Sequence, residues 1–140
     1  MKTTFIDSGV LIAAFRGEEK LAEHALRIID DPERALVSSS FVRLELLPKA
    51  RYHRRTEEVK FYEEFFGRAA RWIEPSSELD ALALEEGSKA GLSALDSLHV
   101  AAALQAGAEE LATTERRERA IHRTRSIRVI SVLVDRENDQ

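Results

Sequence analysis

The stretch Thr3-Thr4-Phe5-Ile6-Asp7-Ser8-Gly9-Val10-Leu11-Ile12-Ala13-Ala14-Phe15 changes character at its middle. Thr3–Ile6 is short and built from β-branched and aromatic residues, which suit a strand. Asp7 is a residue type that caps helices, and Gly9–Phe15 continues as an apolar helix. A strand that runs through one polar residue into an apolar helix is the opening of an α/β repeat, and the same alternation recurs downstream. Glu18–Ile29 sets Leu21, Ala25, Leu26 and Ile29 on one face and is stopped by Asp30-Asp31-Pro32. Ala35–Ser38 reads as a buried strand, and Ser38, Ser39 and Ser40 offer capping hydroxyls to a helix starting near Phe41. Pro48 should kink that helix or end it near Leu47.

Beyond it, Thr56–Phe66 reads as a helix with Val59, Tyr62, Phe65 and Phe66 facing inward. Arg71–Ile73 is a strand closed by Pro75, and Ser76–Ala90 is a helix that Gly91 ends as a left-handed cap. A further helix ends at Gly107. Glu110–Thr113 and Arg128–Val134 read as strands with a short basic helix between them. Strands alternating with helices from end to end predict an α/β fold: a three-layer α/β/α sandwich on a central, mainly parallel sheet of four to five strands. No repeat, low-complexity tract or linker interrupts the pattern, so residues 1–140 read as a single domain.

Composition narrows the function. The 140 residues include no cysteine, which excludes disulfides and thiolate metal sites. No apolar run is long enough to span a bilayer, and the apolar stretch after Lys2 is broken early by Asp7, so a cytoplasmic protein is expected. A net charge of −4 argues against broad coating of nucleic acid but permits a local basic surface around an acidic centre. Arg outnumbers Lys, which suits phosphate recognition.

The penultimate helix carries the strongest chemical hint. Leu92-Ser93-Ala94-Leu95-Asp96-Ser97-Leu98-His99-Val100-Ala101-Ala102-Ala103-Leu104 is apolar nearly all the way round, with one Asp set into it. Such a helix is expected to be buried, and a buried Asp needs a partner or a metal. His99, one turn on, reads as a core residue or a hydrogen-bond donor beside that acid. Asp7 ends the first strand, Glu115 follows the Glu110–Thr113 strand, and Glu45 shares a helix face with Phe41 and Val42. Ligands of open parallel sheets bind beyond the carboxyl ends of the strands, so these four acids can meet there. Crowded carboxylates raise one another's pKa, and a divalent cation relieves them. All-oxygen ligation favours Mg²⁺ or Mn²⁺. Taken singly, Asp7 also reads as an N-cap, Glu45 as a half-exposed helix residue and Glu115 as an ordinary first-turn acid.

Three segments in order, Phe5-Ile6-Asp7-Ser8-Gly9-Val10-Leu11-Ile12, Ser40-Phe41-Val42-Arg43-Leu44-Glu45 and Leu95-Asp96-Ser97-Leu98-His99-Val100-Ala101-Ala102-Ala103, resemble the signature segments of the PIN-domain nucleases. The chain is most similar to the VapC-type toxins of toxin–antitoxin pairs. The resemblance places the family's first three acids on Asp7, Glu45 and Asp96. The fourth, usually an Asp shortly after a Thr, falls on Glu115, one methylene longer, with Thr113 in place. Ser8, Thr113 and His99 are then supporting residues around the acids. The resemblance implies a Mg²⁺- or Mn²⁺-dependent endoribonuclease that leaves 5′-phosphate and 3′-hydroxyl ends. It also implies homodimers, for which Phe61, Phe65, Phe66 and Trp72 offer apolar surface or core, and a cognate antitoxin as partner.

RNA needs a cationic track. Arg43, Lys49, Arg51, Arg54 and Arg55 form one candidate, and Arg116, Arg117, Arg119, Arg123 and Arg125 a second. Both also read as solvated faces, since Glu57, Glu58 and Glu118 dilute them. Other chemistries lack their residues. A haloacid-dehalogenase-type phosphotransferase needs an Asp where Gly9 stands, a receiver domain needs a Lys after Lys89, and no Gly-rich phosphate loop is present. The competing reading is a PIN-like domain with a weakened acidic site, serving as an RNA-binding or protein-interaction module.

Overall fold

A computed structural model describes residues 1–133. Five strands, β1 (Lys2–Ile6), β2 (Arg34–Ser39), β3 (Arg71–Ile73), β4 (Glu110–Thr113) and β5 (Arg128–Ser131), form one sheet in the order β3-β2-β1-β4-β5. Every pairing is parallel. Six α-helices connect them: α1 (Ser8–Arg16), α2 (Glu19–Ile29), α3 (Ser40–Tyr52), α4 (Thr56–Arg68), α5 (Ser77–Ala90) and α6 (Ala94–Gln105). The chain steps from β1 outward to β3, then crosses back to β4 and on to β5. Right-handed crossovers therefore place α1–α4 on one face and α5–α6 on the other. The predicted three-layer α/β/α sandwich is observed, with a fully parallel sheet.

The strands are buried on both faces, as this layering requires. Phe5, Ile6, Val37, Leu111 and Ala112 have no exposed surface, and they pack with Val10, Leu11, Val42 and Val100–Ala103 in one core. Phe65 is buried, while Phe61 and Phe66 are half-buried against that core. Phe65 thus belongs to the core, whereas Phe61, Phe66 and Trp72 keep part of their surface in solvent. The exposed apolar side chains include Leu84 and Leu95, on the α5–α6 layer.

Of the two courses open to α3 at Pro48, the helix does not end there but runs through it to Tyr52. The carbonyl that Pro48 leaves unpaired belongs to exposed Leu44, while Leu46, Leu47 and Ala50 are buried and hold both halves of the helix to the core. The basic helix before β5 is a single 3-10 turn, Ala120–Arg123, with Arg116, Arg117 and Arg119 in the preceding loop. The predicted last strand is observed over Arg128–Ser131, and Val134 lies outside the described residues. Gly91 is the left-handed cap of α5, at φ 68°. Among the described residues no helix is long and apolar enough to cross a membrane.

Candidate functional site

β1 and β4 are neighbours whose onward connections leave in opposite directions, so the sheet's switch point lies between their carboxyl ends. Register puts Ile6 beside Ala112, and Asp7 continues the strand far enough to donate its N–H to the Ala112 carbonyl at 3.0 Å. The next residue of β4, Thr113, donates its hydroxyl to Asp7 Oδ2 at 2.9 Å. The hydroxyl oxygen in turn accepts the Glu115 N–H at 3.1 Å, which leaves the Thr113 proton for Asp7. Ser8 donates to Asp7 Oδ1 at 3.2 Å. Asp7 sits at the start of α1 with extended backbone and no capping hydrogen bond, so its carboxylate is turned to the site instead of to its own helix. Gly9 makes the close approach possible: a Cβ there would stand 2.3 Å from the Thr114 hydroxyl.

Glu45 comes from the second turn of α3, whose N-cap, Ser39, accepts the Val42 N–H. His99 comes from α6, on the opposite face of the sheet. Its Nε2 lies 2.6 Å from Glu45 Oε1 and 3.8 Å from Asp7 Oδ1. Among the described residues, Asp7, Glu45 and His99 form a group whose ligand atoms all lie within 4.8 Å of one another. The third member of this tight group is therefore the histidine, and Asp96 stands next to it.

Asp96 also departs from the buried position expected of it. It is half-buried, in the first turn of α6, with its N–H accepted by the Ser93 hydroxyl at 3.3 Å. The apolar run does bury its helix, but from Ser97 and His99 onward; Leu95 is exposed because the helix begins only at Ala94. A first-turn acid gains from the helix dipole. Even so, the Asp96 pKa is raised, first by burial, then by the charges of Asp7 and Glu115, against a lowering pull from His99. Glu45 runs the other way. Burial pushes its carboxyl up, but the His99 hydrogen bond and charge, with help from Ser8, outweigh it and hold the pKa below the ordinary value. For His99, burial opposes the charged form, yet Glu45, Asp7 and Asp96 together raise its pKa.

Glu115 is exposed and pairs loosely with Arg119 at 3.8 Å. Of the predicted cations, Arg43 lies over the Trp72 ring, 5.0 Å from its centre, and Arg51 pairs with Glu63 at 2.9 Å. Lys49, Arg116 and Arg117 are exposed. Arg123 instead closes the end of α5, donating to the carbonyls of Ala90 and Gly91. A network that the sequence did not reveal lies at the end of β3. Glu74 accepts hydrogen bonds from Ser40 at 2.6 Å and Trp72 at 2.8 Å, which lower its pKa. Its only sequence signal was the two-residue spacing from Trp72, which is no more than an edge strand's period.

Several solved structures share this fold. VapBC2 from Rickettsia felis, bound to a fragment of promoter DNA, superposes with a TM-score of 0.71 at 14% identity, over 92% of this chain and 98% of that one. The DNA-bound VapBC of Salmonella typhimurium gives 0.67 at 16% identity, over 95% and 100%. The Mycobacterium tuberculosis toxin that cleaves the sarcin-ricin loop gives 0.59 at 17% identity, over 77% and 86%. No curated protein matches by sequence. The profile of the PIN domain matches residues 4–124, which span β1 through the 3-10 turn and hold every acid of the site: the chain belongs to the PIN domain family.

Proposed function

We propose that this PIN domain protein is a Mg²⁺- or Mn²⁺-dependent endoribonuclease, the toxin of a toxin–antitoxin pair. One observation carries the reading. Asp7 and Glu45 meet at His99, Asp96 stands near enough to feel the charges of Asp7 and His99, and among the described residues none of the three acids pairs with an Arg or Lys. Burial first, and then the charges of Asp7 and Glu115, raise the Asp96 pKa, a cost that a bound cation would relieve. Carboxylate oxygens in this number are the donor set of Mg²⁺ or Mn²⁺, so the residues fit the cation that the family implies.

Asp7, Glu45 and Asp96 would hold the cation, with Glu115 reaching in from the exposed loop. Bound there, a divalent cation lowers the pKa of water and stabilises charge developing on a phosphodiester and its leaving oxygen. Thr113 and Ser8 keep Asp7 in one orientation. His99 does the same for Glu45. No side chain is needed as a nucleophile. Arg43, Lys49, Arg51, Arg116 and Arg117 supply candidate phosphate contacts on either side of the acids. The toxin assignment is supported by solved relatives that are VapBC complexes and by one that is a sarcin-ricin loop cleaving toxin. A cognate antitoxin is the expected partner, the cytoplasm the expected compartment, and a homodimer the expected state.

The test is cleavage of RNA with Mg²⁺, with Mn²⁺ and with chelator. Wild type should cut only with metal, and Asp96→Asn should lose at least about a hundredfold in rate even at saturating metal. RNA binding without metal-dependent cleavage would assign the chain to the binding-module reading instead.

A further inference from the structure

We propose that His99 is a positioning residue whose proton is held on Nε2, so that it fixes Glu45 as a donor and withholds a nitrogen ligand, leaving the acids an oxygen-only donor set of the kind Mg²⁺ favours. The inference rests on the metal-site reading above. On composition alone, an imidazole beside two carboxylates invites a transition metal such as Zn²⁺. The surroundings of its two nitrogens oppose that.

A neutral imidazole carries one N–H, on either nitrogen. His99 is 1% exposed, and its Nδ1 is buried with no hydrogen-bond partner among the described residues. The Phe5 ring packs beside the imidazole, 5.7 Å between centres. Placing the proton on Nδ1 would bury an unsatisfied donor. It would also turn the Nε2 lone pair onto Glu45 Oε1 at 2.6 Å and towards Asp7 Oδ1 at 3.8 Å. With the proton on Nε2, the imidazole donates to Glu45, and only a lone pair is left at Nδ1. Protonating the ring a second time leaves the Nε2 proton where it is. Ligation through Nε2 would need that proton to move to Nδ1, where a ligating histidine normally finds a carboxylate, carbonyl or water. Among the described residues no group receives it. The donor role has a geometric consequence as well. Glu45 belongs to α3 and His99 to α6, on opposite faces of the sheet, so this one hydrogen bond sets the acid of one layer against the other.

Protein labelled with ¹⁵N-histidine, studied by two-bond ring correlations in chelator and then in excess Mg²⁺, reads the tautomer directly. Nε2 should be protonated in both states. A proton on Nδ1 with a bare Nε2 in chelator, or an Nε2 that becomes metal-bound on adding Mg²⁺ or Zn²⁺, overturns the proposal. Variants test the positioning role through the Mg²⁺ concentration that gives half the thermal shift. His99→Gln places an amide N–H at the reach of Nε2 and should keep the wild-type midpoint. His99→Leu should raise it by on the order of 10–100-fold. Equal midpoints for the two variants overturn the positioning role. If wild type shows the Nε2 proton but no thermal response to Mg²⁺, the metal-site reading fails, and the donor role to Glu45 stands without it.

Discussion

Both ends of the sheet bury a carboxylate, and they neutralise it in opposite ways. At the amino end, Glu110 of β4 is 2% exposed and accepts from Thr4 at 2.8 Å and from Arg34 at 3.1 Å, with Lys2 at 3.7 Å. Its charge is met by permanent cations, Lys2 from the adjacent β1 and Arg34 from β2 beyond it. At the carboxyl end, Asp7 is also buried, but its partners are the hydroxyls of Thr113 and Ser8, and among the described residues the cationic group beside it is a titratable imidazole. A buried acid with a fixed cation is part of the architecture. Acids gathered without one leave a charge deficit for a ligand to fill.

Stability should expose the contrast most strongly. Glu110→Ala leaves Arg34 without its buried partner and should cost about 3 kcal/mol in urea unfolding. Asp96→Asn should do the reverse in chelator. The raised folded pKa of Asp96 means that its stabilising, protonated form is present at low pH and lost as pH rises through that value, so at neutral pH the charge is a burden. The melting temperature should rise. A destabilised Asp96→Asn would make the two ends alike and remove the distinction.

Metal should act at one end only. At a Mg²⁺ concentration a hundred times its Kd, wild type should gain about 2.7 kcal/mol. Asp96→Asn should gain much less, whereas Glu110→Ala, though weaker overall, should gain as much as wild type. A Mg²⁺ response abolished by Glu110→Ala would place the cation at the wrong end of the sheet.

pH gives a smaller effect. His99 has a folded pKa raised above its unfolded value of about 6.5. Its contribution is therefore complete below about pH 6 and lost as pH rises through the folded pKa. In chelator, the urea midpoint should fall as pH rises above about 6.5, and His99→Gln should flatten that fall. A slope unchanged in His99→Gln would assign it to other groups.

These contrasts also mark what the sequence could carry. The strands were legible as short β-branched or apolar runs, several of them closed by Asp, Ser or Pro, as at Ile6-Asp7 and Ile73-Glu74-Pro75. The path of α3 through Pro48 was not, since it depends on Leu46, Leu47 and Ala50 finding the core. At the site, Asp7 and Glu45 were visible as a strand-end acid and an acid on an apolar face. The depth of Asp96 was misjudged because the periodic pattern does not say where a helix begins, and a start at Ala94 puts that acid in the first turn. The approach of His99 to Glu45 joins residues 54 apart on opposite faces of the sheet. No local pattern encodes it. Its unpartnered Nδ1 is visible only in three dimensions.

Glu115 tests how far the carboxyl-end deficit extends. It is exposed, it leans towards Arg119 at 3.8 Å, and its charge still raises the Asp96 pKa. It is thus close enough to be felt by the cluster and far enough out to stay solvated. An acid so placed should assist a cation through water or weakly, not as an anchoring ligand. Glu115→Gln should then shift the Mg²⁺ dependence of cleavage to higher concentration while leaving the saturated rate near wild type. Asp96→Asn should lower the saturated rate itself. Glu115→Asp restores the acid usual in the family but shortens its reach by one methylene, and it should cleave with near-normal or improved Mg²⁺ dependence. If Glu115→Gln leaves the whole Mg²⁺ curve unchanged, the deficit ends at Asp96. Glu115 is then an ordinary surface acid whose backbone N–H, by orienting Thr113 towards Asp7, is its one contribution to the site.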